Sequence, residues 1–245
     1  MSAHPLRVAV IVGSTREGRF GPTVAAWFAG EAAGRTDVDA EIIDLAGAGA
    51  GAGAGARAKA GTGVEAGAKA GVEAGAKAGV EAGAKAGMGV EAGAGAKAGV
   101  EAGTGAGVEA GTGSGAGSVT ARLAAADAFV VVTPEYNHSY PAPLKAVIDS
   151  HSREWHAKPV GFVSYGGLSG GLRAVEHLRP VFAELHAVTV RDTVSFHGGR
   201  SCFGPDGRPL DPREPGAAAH RLLDRLTWWG ITLRDAHQAR PYVTA

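Results

Sequence analysis

The sequence predicts an α/β fold, a doubly wound five-stranded parallel sheet in one domain, with a long low-complexity insertion after the second strand. Three observations lead there. Short runs rich in β-branched and aromatic residues (RVAVIV, AFVVVT, PVGFVS) read as strands buried on both faces. They alternate with longer helical stretches, and strict strand–helix alternation makes neighbouring strands parallel. Finally, residues 46–118 hold 24 Gly and 25 Ala with no aromatic, Pro or His, so the remaining 172 of the 245 residues carry every aromatic side chain. A chain of that size suits one globular domain.

The elements follow in order. Arg7–Val12 is the first strand, and Pro22–Ala33 a helix whose early Pro costs no hydrogen bond. Ala40–Leu45 is the second strand. Beyond the insertion, Val119–Ala126 reads as a short helix and Ala128–Thr133 as the third strand. Pro143–Ser150 is helical, Pro159–Ser164 is the fourth strand, and Leu172–His186 is a long amphipathic helix. Ala187–Phe196 supplies the last strand, and Ala217–Leu233, with Trp228 and Trp229, the last helix.

Within 46–118 the octapeptide GVEAGAKA occurs three times without error, at 63–70, 71–78 and 79–86. It places Glu65, Glu73 and Glu81 four residues before Lys69, Lys77 and Lys85, a helical spacing worth a few tenths of a kcal/mol per pair. Glycine at every fourth position costs about 1 kcal/mol against Ala each time. The penalty exceeds the gain, and one Val per copy is too little to bury. Composition therefore predicts a disordered expansion of a single domain.

Charge and cysteine content exclude several classes. The chain has 24 basic and 24 acidic side chains, a balance unsuited to nucleic acid, which selects basic surfaces. No apolar run approaches the roughly 18 residues of a membrane span, and the five-residue run Val8–Val12 is too short for a secretion signal. The lone Cys202 fits a reducing compartment. A cytoplasmic protein is expected.

In a doubly wound sheet, ligands bind beyond the carboxyl ends of the strands. Three loops there are unusual. The first, GSTREGRFG (Gly13–Gly21), offers small residues, hydroxyls and two arginines ahead of a helix N-terminus, a setting for an anion. It nearly matches the phosphate-loop pattern GxxxxGK[ST], but Arg19 and Phe20 stand where Lys and the metal-ligating hydroxyl belong. A nucleotide hydrolase is disfavoured. The second, TPEYNHSYPAP (Thr133–Pro143), carries three prolines and polar aromatics able to hold a flat ligand edge, with Glu135 and His138 as a candidate acid–base pair. The third, SYGGLSGG (Ser164–Gly171), has two Gly pairs that let the backbone approach a planar group.

The stretches GSTREGRFG, PEYNHSYPAPLKAVID and SYGGLSGGLRAVEHLR together resemble the NADPH-dependent FMN reductase family, of flavodoxin-like fold. The resemblance covers nearly all of residues 6–200 outside the insertion. It implies that Ser14, Thr15 and Arg16 bind the FMN phosphate and that Pro134, Glu135, Tyr136 and Asn137 line the isoalloxazine. Gly166, Gly167, Ser169 and Gly170 would border its other edge. Arg19 and Gly21 depart from the family pattern, and Arg19 would hold the phosphate in place of a hydroxyl. The implied protein is an oxidoreductase that passes hydride from NADPH or NADH to FMN and then to a small-molecule acceptor such as a quinone or free flavin. The family implies a homodimer or homotetramer.

No side chain is expected to act as a nucleophile, and no metal site is expected, since His151 and His156 miss the helical spacing of a ligand pair. Cys202 has no resolving partner and reads as inert. Trp228 and Trp229 read as packing, within the domain or across a dimer contact. The alternative function is a flavodoxin-like electron carrier, against which the neutral charge speaks.

Overall fold

The computed structural model describes residues 4–48 and 118–243. The insertion expected over 46–118 falls between these two parts, so the disorder expected of it lies, save at its ends, outside the described residues.

Five strands, β1 (Leu6–Val12), β2 (Val38–Asp44), β3 (Ala128–Pro134), β4 (Pro159–Gly166) and β5 (Val188–His197), form one sheet in the order β2-β1-β3-β4-β5. Every pairing is parallel. This is the flavodoxin-like order, whose direction reverses between β1 and β3. Among the described residues six helices flank it: α1 (Gly21–Ala33), α2 (Leu45–Ala48), α3 (Val119–Ala125), α4 (Ala142–Asp149), α5 (Leu172–Glu184) and α6 (Arg213–Ala239).

Two cores account for the unbroken apolar strands. Successive side chains point to opposite faces, so Val8, Val10 and Val12 pack with α1 and α6 while Ala9 and Ile11 pack with α3, α4 and α5. Strand β3 repeats this division, with Val130 and Val132 on one side and Phe129 and Val131 on the other. A strand facing two cores has no polar side to spare.

The boundaries differ from expectation where local chemistry intervenes. Strand β2 begins at Val38 and ends at Asp44, and Leu45 opens α2 instead of closing the strand. Helix α6 is longer than the periodicity indicated, because Pro212 and Pro215 fall at its N-cap and first turn, where proline is tolerated. Helix α5 stops at Glu184: His186 takes φ 56°, its amide bonds to Ala183 O and the Ala187 amide to Phe182 O. That is a Schellman ending with histidine in the left-handed position usually given to glycine.

At the amino end of the sheet, the Asp127 carboxylate receives Arg7 at 3.2 Å and Arg234 at 3.1 Å. Nearby, Lys158 Nζ donates at 3.1 Å to the carbonyls of Leu123 and Ala124, capping α3. Burial pushes that ammonium down to about 8.

Candidate functional site

Because β1, β3 and β4 are neighbours at the centre of the sheet, the loops that follow them converge at its carboxyl edge. The loop after β1 leaves the strand with the Gly13 amide still bonded to Val132 O at 2.9 Å. It then turns so that few of its amides find a partner. Arg16 N reaches Ser14 Oγ at 3.4 Å and Arg19 N reaches Arg16 O at 3.2 Å. Among the described residues, the amides of Ser14, Thr15, Glu17 and Gly18 have no acceptor. Helix α1 follows with no side-chain cap and no acidic residue in its first turn. A row of unpaired N–H groups running into a positive helix end is an anion cradle.

The arginines of that loop diverge. Arg16 is exposed, 5.9 Å from the centroid of the Tyr136 ring, and forms no ion pair among the described residues. Arg19 instead binds Asp44 at the end of β2 at 2.7 Å, with both side chains half-buried. Arg200, from the 3-10 turn Gly199–Cys202, donates to Gly18 O at 2.8 Å and lies over Phe20 at 5.2 Å. Its fixed planar guanidinium thus braces the outer curve of the loop.

The loop after β3 makes a two-residue reversal in which Tyr136 and Ser139 exchange backbone bonds of 2.8 and 3.0 Å. Asn137 and His138 take φ 50° and 67°, as a type I′ turn requires at both central positions. Both are exposed, and His138 is not joined to Glu135. The acid–base pairing considered from sequence is absent, because the Glu135 carboxylate faces the next loop. It accepts Ser169 Oγ at 2.6 Å, Arg173 N at 3.2 Å and Arg173 Nη1 at 2.6 Å. Burial pushes this carboxyl up, but those three donors outweigh it and hold it below the usual carboxylate range. Tyr136 is tied the other way, its hydroxyl 2.8 Å from Ser14 Oγ, which is fully buried. Pro134 is buried within β3, opposite Tyr165 of β4.

In the loop after β4 the two glycine pairs do different work. Gly170 and Gly171 are buried at φ 62° and 86°, and a Cβ on Gly171 would stand 2.8 Å from Ser164 Cβ. The Gly170 carbonyl is fixed by the hydroxyls of Ser164 and Ser195 at 2.8 and 2.9 Å. Gly166 and Gly167 lie further out, and a Cβ on Gly167 would meet nothing within 4 Å. Beside them Leu168 is 94% exposed. Gly167 alone leaves open backbone, since a Cβ on Gly166 would stand 3.0 Å from Gly171 N, and the left-handed inner pair turns the chain into α5.

The site is therefore three loops cross-tied by Ser14–Tyr136 and by Glu135–Ser169 and Glu135–Arg173. Sequence reasoning singled out nearly all of the loop residues. It missed Asp44, Arg173, Arg200, Ser164 and Ser195, whose only signal was their place at the ends of strands or just after the loops. Tyr165 lies beneath the first loop, edge-on to Phe20 at 5.8 Å, and burial pushes its phenol strongly up. It stays neutral at any working pH. Cys202 donates to His197 O at 2.6 Å. Among the described residues no group of three or more His, Cys, Asp or Glu is placed to hold a metal ion, and no helix is long and apolar enough to cross a membrane.

Residues 6–78 and 104–201 match the sequence profile of a family described as NADPH-dependent FMN reductase. An NAD(P)H-dependent FMN reductase of Schizosaccharomyces pombe is 53% identical over 51 residues, 21% of this chain and 26% of that protein. A probable NADPH:quinone oxidoreductase of Oryza sativa is 36% identical over 98 residues, 38% of this chain and 48% of that one. The chain thus spans between a quarter and a half of these two relatives. Among solved structures, the flavoenzyme NAD(P)H:(acceptor) oxidoreductase FerB of Paracoccus denitrificans superposes with a TM-score of 0.55 at 18% identity, covering 93% of this chain and 98% of that one. The likeness to FerB is one of fold.

Proposed function

Because the chain belongs to the NADPH-dependent FMN reductase family, we propose that the three-loop site holds FMN and that the protein is an NAD(P)H-dependent oxidoreductase. Hydride comes from NADPH or NADH, and the electrons pass to a small-molecule acceptor such as a quinone or free flavin. Bound FMN supplies that redox chemistry. The observation that carries the reading is the set of unpaired amides at Ser14, Thr15, Glu17 and Gly18 beside the free cation of Arg16, which fits one terminal phosphate.

The chain's own residues bind and orient. The first-loop amides and Arg16 receive the phosphate. Arg19 stands beside the cradle with its charge compensated by Asp44, and this ion pair sets the loop's inner curve. Pro134, Glu135, Tyr136 and Asn137 give one border of the ring site. Gly166, Gly167, Ser169 and Gly170 give the other, and the Glu135 carboxylate locks the two borders together. No side chain serves as a nucleophile. The protein works as a cytoplasmic homo-oligomer, in keeping with its lone cysteine and neutral charge.

The test is anaerobic mixing of the FMN-loaded protein with NADPH and, separately, NADH, followed by a panel of quinone and flavin acceptors. Direct bleaching of the flavin and its reoxidation by an acceptor are expected. Bleaching only through a partner reductase points to an electron carrier, and a protein that takes up no FMN refutes the reading.

Replacing Arg16 with Ala weakens FMN binding by roughly 1.5–3 kcal/mol, the range for a charge-assisted hydrogen bond. Riboflavin, which lacks the phosphate, keeps its affinity. Fluorescence-quenching titrations with both ligands check this, and an equal loss for both makes Arg16 structural.

We also propose that residues 46–118 interrupt one flavin-binding domain without serving it, since strands from both sides of the interruption complete a single sheet. Deleting Gly47–Gly117 with a short linker in their place leaves FMN affinity within about threefold, because loop length enters closure entropy only logarithmically. A larger loss in the same titration assigns the stretch a role in binding.

A further inference from the structure

The segment that follows β5 touches both the first loop and the third, and no motif in the sequence singles it out. Gly198 and Gly199 take φ 88° and 57°, the left-handed region where a side chain would be strained. They reverse the chain into the 3-10 turn Gly199–Cys202, which the Cys202 thiol closes by donating to His197 O. One end of the reversal is tied to the third loop, where Gly198 N donates to Gly167 O at 2.9 Å. The other end is held by Phe203, buried and edge-on to Phe20 at 5.0 Å. Between these anchors Arg200 is carried to the first loop, where it donates to Gly18 O and lies over Phe20.

The charges at that loop show what Arg200 adds. Arg19 is neutralised by Asp44. Glu17 lies in the same loop and formally offsets Arg16. Arg200 is exposed and forms no ion pair among the described residues, so it is the cation that leaves the cradle net positive. Its bond to Gly18 O occupies one of the five N–H donors of a guanidinium. A phosphate monoester carries about −1.5 to −2 charges at pH 7, more than one arginine compensates. A second observation points the same way. The Tyr165 hydroxyl is buried beneath this loop against Gly21, the first residue of α1, and its proton has no acceptor among the described residues. The charges of Arg19 and Arg200 both act on it. A buried O–H donor without an acceptor, at the start of a helix, marks the floor of an anion site.

Resting on the FMN reading of the three-loop site, we propose that Arg200 is a second cation of the cradle and receives the terminal phosphate together with Arg16. The turn Gly199–Cys202 is then a fourth loop of the site. Because Gly198 also holds Gly167, this loop fixes the phosphate end of the site relative to its ring end.

Titrations of the full-length apoprotein with FMN and with riboflavin test the assignment. Arg200→Gln removes the charge and raises the FMN dissociation constant about tenfold, while riboflavin affinity stays within about threefold. Arg200→Lys keeps the charge and recovers most of the loss. Added salt weakens FMN binding less steeply in Arg200→Gln than in the unaltered protein, since one screened attraction is gone. An equal loss for both ligands, or no loss for FMN, confines Arg200 to bracing the loop and refutes the proposal. A lysine variant no better than the glutamine one, with an unchanged salt dependence, assigns the loss to shape and refutes it as well. If FMN binding still falls in Arg16→Ala, the FMN reading survives either refutation. An unaltered protein that binds neither ligand refutes both.

Discussion

Trp155→Ala lowers the stability of the domain by roughly 3–5 kcal/mol, as expected for removing a large, fully buried aromatic. Trp155 has no exposed surface, lies edge-on to Phe129 of β3 at 4.7 Å, and meets Phe182 of α5 at 5.4 Å. Its Nε1 donates to the carbonyls of Ile148 and His151 at 3.2 and 3.0 Å, which ends α4 and fastens it over the sheet. The loss therefore combines a cavity with two carbonyls stripped of a donor. Trp155→Phe keeps most of the packing and costs less, about 1–2 kcal/mol from the missing hydrogen bonds. Urea unfolding of the three proteins decides the matter. An alanine variant within 1 kcal/mol of the original would show that the neighbouring aromatics close over the gap.

Asp127→Asn destabilises the domain by about 2–3 kcal/mol at neutral pH. Removing one partner of a well-buried pair costs more, but Arg7 is 59% exposed and water screens its share. Asp127 and Arg234 are only 8% and 14% exposed, so the substitution leaves the Arg234 cation largely without water or counter-charge. Burial pushes the Asp127 carboxyl up. The hydrogen bonds and charge of Arg7, with the charge of Arg234, outweigh that and leave it below its ordinary value. A depressed carboxyl stabilises the fold above its unfolded value, near pH 4, and the contribution disappears as pH falls through the folded value. The gap between Asp127→Asn and the unaltered protein is thus widest at pH 7 and shrinks below about pH 4. A gap that stays constant from pH 7 to about pH 3 would assign the effect to shape and not charge.

The site's weak point follows from the same reasoning applied to loops. The Ser14–Tyr136 bond and the Glu135 contacts to Ser169 and Arg173 join segments more than 30 residues apart. Residues in one such network lose energy together, so substitutions at Glu135 and Ser169 are non-additive.

Much was legible because it is local. A strand buried on both faces has to be continuously apolar, and RVAVIV, AFVVVT and PVGFVS declare themselves without reference to any neighbour. The anion loop was legible for a similar reason: small residues ahead of a helix leave amides unpaired whatever packs elsewhere. Even the parallel pairing of the strands followed from their alternation with helices.

Other features depend on which segments meet. Nothing within GSTREGRFG tells Arg16 from Arg19, yet one is a free cation over Tyr136 and the other is bound to Asp44, 25 residues away. Glu135 and His138 look like partners in sequence, but the type I′ turn at Asn137–His138 separates them and Arg173 takes the carboxylate. The two Gly pairs of SYGGLSGG are alike on paper, and only the hydroxyls of Ser164 and Ser195 beneath Gly170 make one of them structural. Trp228 and Trp229 read as packing, within the domain or across a dimer contact, and Gly230, which faces Leu6, leaves them on the outer side of α6. Sequence by itself determined the strands, their faces and the phosphate-type loop, because backbone periodicity and unpaired amides are properties of neighbouring residues. Tertiary structure alone decided which charges are free and which aromatics are exposed, because a side chain's partner is set by whichever distant segment the fold brings within reach.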